Sequence, residues 1–181
     1  MKSKTPLFVA IFICSIFSAQ QMKEYNFGEP FKISYPAGYV KSYDLNDVAA
    51  AQFSSPVNEK YSIVIQTEKD HLSFYQLVFS DLVEAGAYYS KTIKEGLIDD
   101  SSLNYVSPKE IKVNGHNAVE SMIEGSFVDE ESGLTTNLFY NVTIVETVNH
   151  YYQIVSWCAA KDKDKNLAEF RKIVSSFKEG K

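Results

Sequence analysis

Apolar and polar positions change period along the chain, and the changes mark the elements. From Tyr25 to Glu68 the period is two: Phe31, Ile33 and Tyr35 lie on one side of Lys32 and Ser34 before a Pro36-Ala37-Gly38 turn. This alternation predicts strands, followed by an antiparallel pair over 48–54 and 61–68 around Pro56 and Asn58. The period becomes helical at Ser73, where Ser73 and Gln76 have the spacing of a capping box with Leu72 and Leu77 as its hydrophobic staple. Phe74, Leu77, Val78, Leu82, Ala85, Tyr89 and Ile93 then recur at steps of three and four, predicting one helix to about Glu95 with Gly96 as its stop. Gly86 inside that helix points to close backbone packing or to a tolerated defect.

Beyond a polar loop, 104–113 and 116–127 flank Asn114-Gly115, the strongest hairpin signal in the chain because both residues accept positive φ. The acidic Asp129-Glu130-Glu131-Ser132-Gly133 segment turns into alternating Leu138, Tyr140, Val142 and Ile144, and Val148-Asn149-His150 turns into Tyr151, Gln153, Val155 and Trp157. Residues 105–159 therefore read as a four-stranded meander. Leu167, Phe170, Ile173, Val174 and Phe177 draw the stripe of a last helix, with Asp162 and Asp164 at its positive end and Lys178 and Lys181 at or beyond its negative end. The fold class is α+β, an antiparallel sheet with helices on it, and no linker divides the chain.

The first residues read as an address. Lys2 and Lys4 precede a run over 7–17 that is apolar but for Ser15 and closes on Ser18-Ala19, the pattern of a secretory signal peptide, shorter than the roughly 20 residues of a membrane span. The expected division is a signal peptide over 1–19 and a single domain over 20–181, exported to the periplasm or the medium. Ile11-Phe12-Ile13 before Cys14 are too large for a lipidation site, so Cys14 belongs to the discarded segment. Without 1–19 the chain keeps 16 basic and 23 acidic residues, a net charge of −7, and it has no basic run. Nucleic acid and stable membrane insertion are disfavoured as partners.

Candidate chemistry is sparse. The chain has no Gly-x-Ser-x-Gly, phosphate-cradling glycine loop, Cys-x-x-Cys or His-Glu-x-x-His. Cys158 beside Trp157 in an alternating strand reads as inert core. His116 and Glu120 are about 13 Å apart on a strand, too far to share an ion. The meander does bring the turns of His116 and His150 to one end of the sheet, which makes these two the weak metal candidates; no cofactor is called. Asp162-x-Asp164-x-Asn166 opens like a calcium loop but fails at Leu167 and Ile173. Asp129 to Glu131 is a solubilising turn before it is a cation site. Asn141-Val142-Thr143 is a glycosylation sequon, relevant only in a eukaryotic host. In the pairs Tyr88-Tyr89 and Tyr151-Tyr152 one ring of each tends away from the main core face, unless helices cover both faces.

The opening "FKISYPAGY" (31–39), the central amphipathic helix, the "IKVNGHNA" hairpin (111–118), the "YYQIVSWCA" strand (151–159) and the closing "FRKIVSSFK" helix (170–178) together resemble the PsbP-like family of the Mog1p/PsbP-like fold, in its bacterial secreted or periplasmic branch. The resemblance runs over essentially the whole chain after residue 19. It implies an antiparallel sheet with helices on both faces, an α/β/α sandwich, and an accessory, binding or assembly role; it carries over no catalytic residues. The expected function is thus a non-enzymatic exported binding protein holding a protein partner or small ligand. The alternatives are an envelope metal-dependent factor or enzyme around His116 and His150, and a structural subunit that self-associates through a sheet edge.

Overall fold

The computed structural model describes residues 21–129 and 132–180. The expected signal peptide, Cys14, Glu130 and Glu131 lie outside the described residues.

Among the described residues ten strands form two sheets. A small one joins β1 (Met22–Asn26), β2 (Phe31–Pro36) and β10 (Lys178–Glu179) in the order β1-β2-β10. The large one contains β3 (Val40–Lys41), β4 (Ala51–Ser55), β5 (Lys60–Glu68), β6 (Asn104–Val113), β7 (His116–Val128), β8 (Thr135–Glu146) and β9 (His150–Ala159), in the order β3-β4-β5-β9-β8-β7-β6. The predicted meander is the run β6-β7-β8-β9. Its first turn carries φ of 48° at Asn114 and 91° at Gly115 with Val113 opposite His116, the tight turn that this dipeptide favours.

Alternation along each strand gives the large sheet two faces. On the first, Phe53, Val64, Val145, Ile154 and Cys158 meet β2 and the helix α3 (Lys163–Ser175), where Phe170 and Ile173 are fully buried. Phe53 stacks on Tyr35 at 3.9 Å between ring centroids, so the small sheet closes this face beside α3. A buried ion pair, Lys60 Nζ to Glu169 Oε1 at 2.5 Å, sits at its margin and receives the Tyr39 hydroxyl on Glu169 at 3.1 Å. On the second face, Ile63, Val119, Ile123, Val142, Ile144 and Val155 meet the helix α2 (Leu82–Glu95) through Ala85 and Tyr89. Helices thus pack on both faces of an antiparallel sheet, the α+β sandwich expected.

One helix is not where its pattern placed it. The stripe from Ser73 to Glu95 is broken into α1 (Lys69–Phe74), a loop, and α2. Ser73 lies near the end of α1, not at a start: its hydroxyl donates to the Lys69 carbonyl at 3.0 Å. The Gln76 amide donates to the Ser73 carbonyl and the Leu77 amide to the Leu72 carbonyl, with Gln76 at φ 59°. That is a Schellman closure, and Leu72 and Leu77 are its paired apolar residues rather than a staple. The cap that starts α2 is Asp81, whose carboxylate accepts from the Glu84 amide at 2.8 Å while Glu84 reaches back to the Ser80 amide at 2.6 Å. A carboxylate at the helix N-terminus outcompetes a serine hydroxyl eight residues earlier. At the other end α3 stops at Ser175, and Phe177 follows it as the chain enters β10.

Candidate functional site

The second face of the large sheet is only partly covered. α2 packs on β6, β7 and β8, drawn in by Gly86, where an added Cβ would lie 2.7 Å from Val119 Cγ2, and by a buried Ser90–Ser121 hydroxyl contact of 2.8 Å. Beyond it the floor of β5, β9 and β8 is open, forming a groove of about 700 Å³.

Strand pairing builds the floor. Tyr61 of β5 lies opposite Trp157 of β9, and Trp157 opposite Tyr140 of β8. Residues opposite in an antiparallel ladder point to the same face, so the three rings line up across three strands. Tyr61 and Trp157 stack at 5.2 Å with 20° between planes, Trp157 and Tyr140 at 6.1 Å with 27°. Ile63, Ile65 and Val155 continue the floor.

One wall is α2, through Tyr88, Tyr89, Thr92 and Ile93. The other is the segment between β3 and β4, which presents Leu45, Asn46 and Val48 and whose turn is gripped by one side chain. Gln52 Oε1 accepts from the Leu45 and Asn46 amides at 2.8 and 3.1 Å, and Gln52 Nε2 donates to the Asn46 carbonyl at 2.7 Å. This glutamine preforms the wall. None of the groove's described lining residues is Asp, Glu, Lys, Arg or His. Burial pushes the hydroxyls of Tyr89 and Tyr140 above the ordinary tyrosine range, so neither ionises near neutral pH and the groove stays uncharged.

The residues singled out in the sequence fall elsewhere. His116, Thr147 and His150 occupy one row at the end of the sheet, the row beyond Asn117, Glu146 and Tyr151. The two histidines therefore share an end and a face, two strand spacings or about 10 Å apart. A chain of ring contacts links them: Phe177 lies 6.3 Å from the His116 ring and 4.8 Å from Tyr152, itself 5.5 Å from His150. Among the described residues no group of three His, Cys, Asp or Glu side chains is placed to hold a metal ion. Cys158 is buried, and burial pushes its thiol up. Asp162 is the N-cap residue of α3 and Asp164 lies in its first turn. Asn141 of the sequon is fully buried, its amide donating to Glu120 Oε1 at 3.0 Å, so the folded chain offers no site for a glycan there. The tyrosine pairs split as their spacing requires: Tyr88 is exposed and Tyr89 buried, while Tyr151 and Tyr152 point to opposite faces. Gln52 and the Tyr61–Trp157–Tyr140 row were not found by sequence reasoning: β8–β9 pairing sets Tyr140 beside Trp157, but the pairing of β5 with β9 that adds Tyr61 lies outside the predicted meander.

No protein-family model and no curated protein matches the chain by sequence. Solved structures do match by shape. PsbP from the cyanobacterium Synechocystis sp. PCC 6803 (CyanoP) aligns with a TM-score of 0.57 over 92% of this chain and 96% of its own, at 12% identity. The Ran-binding protein Mog1p of Saccharomyces cerevisiae aligns with a TM-score of 0.60 over 88% and 96%, at 13% identity. The fold is PsbP/Mog1p-like. A third protein of this PsbP/Mog1p-like shape is LpqN of Mycobacterium tuberculosis, involved in cell envelope biogenesis, with a TM-score of 0.50 over 89% of this chain and 91% of its own, at 9% identity. At such identities the likeness fixes the PsbP/Mog1p-like architecture and nothing about activity. Among the described residues no helix is long and apolar enough to cross a membrane.

Proposed function

We propose that the chain is an exported, non-enzymatic binding protein whose site is the groove over Trp157 and Tyr140. The observation that carries this reading is the groove itself: a wide, walled, uncharged recess floored by aromatic rings on the part of the sheet that α2 leaves bare. Most ligand sites are concave, apolar and largely preformed, with a few neutral polar groups to orient the occupant. Gln153, Thr92 and Asn46 are such groups here. Two proteins of the same fold support a binding or envelope role, since Mog1p is Ran-binding and LpqN is involved in cell envelope biogenesis. Export rests on the apolar run over 7–17 behind Lys2 and Lys4.

The test is native mass spectrometry on protein isolated gently from the envelope and medium of producing cells. The expected result is a processed chain that carries additional non-covalent mass, lost in a Trp157→Ser/Tyr140→Ser double variant whose circular dichroism is unchanged. Equal retention by both forms removes the groove from the function. Recovery of only the unprocessed chain in the cytoplasm removes export.

A further inference from the structure

We propose that the groove takes an uncharged, largely apolar small molecule bearing a flat ring, which lies against Trp157 and Tyr140. The proposal rests on the reading of the groove as the binding site and goes further by naming the ligand's chemistry.

Three features of the recess select this class. The first is charge. A fixed charge brought into the groove would shed water with no counter-charge among the described lining residues, and such a transfer is costly. The neighbouring cleft of about 610 Å³ is the contrast within the same molecule, lined by Glu29, Asp47, Glu68 and His71. The second is the backbone of the floor. β9 and β8 are interior strands paired on both sides over this stretch, and β5 pairs with β9 throughout and with β4 over 60–64, so most amides and carbonyls of the floor are spent on one another. An extended peptide laid in the groove would find few main-chain partners for its own polar groups, unlike a peptide added at a sheet edge. A small molecule with one or two neutral polar groups needs only Gln153, Asn46 or Thr92. The third is size. About 700 Å³ is the volume of a small-ligand site rather than of a docked protein surface, and the rings of Trp157 and Tyr140 are in its lining, where an aromatic ligand can meet them.

The molecule supplies its own reporter, because Trp157 is the one tryptophan in the chain. The experiment titrates the protein with N-phenyl-1-naphthylamine, which is neutral, and with 8-anilino-1-naphthalenesulfonate, which has the same rings plus a sulfonate. The expected result is saturable quenching of Trp157 emission by the neutral probe at one site per chain, with the sulfonate weaker by about tenfold or more. Thr92→Lys, a change at an exposed helix position on the rim, is expected to narrow that ratio at least about threefold by supplying the missing counter-charge. A third titration uses an uncharged peptide, acetyl-Ala-Val-Phe-Ala-Val-amide. Equal binding of the two naphthyl probes, or a ratio unmoved by Thr92→Lys, overturns the proposal. Preferential quenching by the peptide overturns the ligand class while leaving the groove as the binding site. Silence of Trp157 toward all three overturns both.

Discussion

The two faces of the large sheet carry apolar side chains in the same alternating way, yet one is sealed and the other half open. A helix about 10 Å across covers roughly two strands spaced about 4.8 Å apart, so a seven-stranded sheet needs more than one helix per face. On the first face α3 has the small sheet beside it, and β2 lays Phe31, Ile33 and Tyr35 over the remaining strands. On the second face α2 has beside it only the loop before it, where Phe79 packs on Tyr89 and Tyr151, and the segment between β3 and β4. What it cannot reach is lined with rings instead of being covered, and a segment pinned by Gln52 walls it off. The lesson is that the candidate site is a deficit of cover, placed by counting layers against strands rather than by any reactive residue.

The strongest way to break this comparison is to excavate both faces. Phe170→Ala on the sealed face should destabilise the protein by about 3–5 kcal/mol in urea titrations, whereas Trp157→Leu on the groove floor should cost less than about 1.5 kcal/mol. Equal losses would mean that the groove floor is ordinary core. A smaller effect is expected where α2 meets the sheet. Gly86→Ala gains up to about 1 kcal/mol in helix propensity but puts a methyl group 2.7 Å from Val119 Cγ2 and 3.1 Å from Pro108, so a net destabilisation of about 1–2 kcal/mol should appear as a lowered urea midpoint. An unchanged midpoint would show that the helix floats on this face.

The smallest effect lies at the edge of the sealed face, where Glu120 accepts from Arg171 Nε at 2.9 Å and Nη2 at 2.6 Å, and from Asn141. Burial raises the Glu120 pKa, but the hydrogen bonds from Arg171 and Asn141 and the Arg171 charge outweigh it and leave the value below the ordinary range. A lowered folded pKa contributes stability that is present above the unfolded value, about 4.3, and is lost as pH falls through the folded one. Glu120→Gln should therefore flatten the fall in stability between about pH 5 and pH 3. An acid limb as steep as that of the parent would leave the pair without energetic weight.

Local signals carried much of this fold. Asn114-Gly115, the alternation in 116–127 and 138–157, and the stripe of α3 each specify their element with neighbours in sequence. The helix start failed where two local signals competed: the Ser73–Gln76 spacing is that of a cap, but Phe74 and Val78, counted into the apolar stripe, are 79% and 75% exposed. They carry the period without facing a core, and the carboxylate at Asp81 is the better acceptor. β10 was invisible because two residues have no period. The groove was illegible for a deeper reason, since the floor residues Ile63 and Val155 are neighbours only through the pairing of β5 with β9, and nothing local to either strand announces it. The histidines, conspicuous as residue types, share a row but stand two strands apart, each against a different aromatic ring.

The small sheet ties together parts of the chain that are made far apart in time. Lys178 pairs with Lys32, and the Ser176 hydroxyl accepts from the Ser34 amide at 2.8 Å. A growing polypeptide can therefore pair β2 with β1 and stack Tyr35 on Phe53 early, but its cover by α3 and β10 is complete only when the last residues are made. Contacts of such long sequence separation close slowly. Until they close, Phe31, Ile33 and Tyr35 form the stretch where a holding chaperone has most to grip and where clumping would begin.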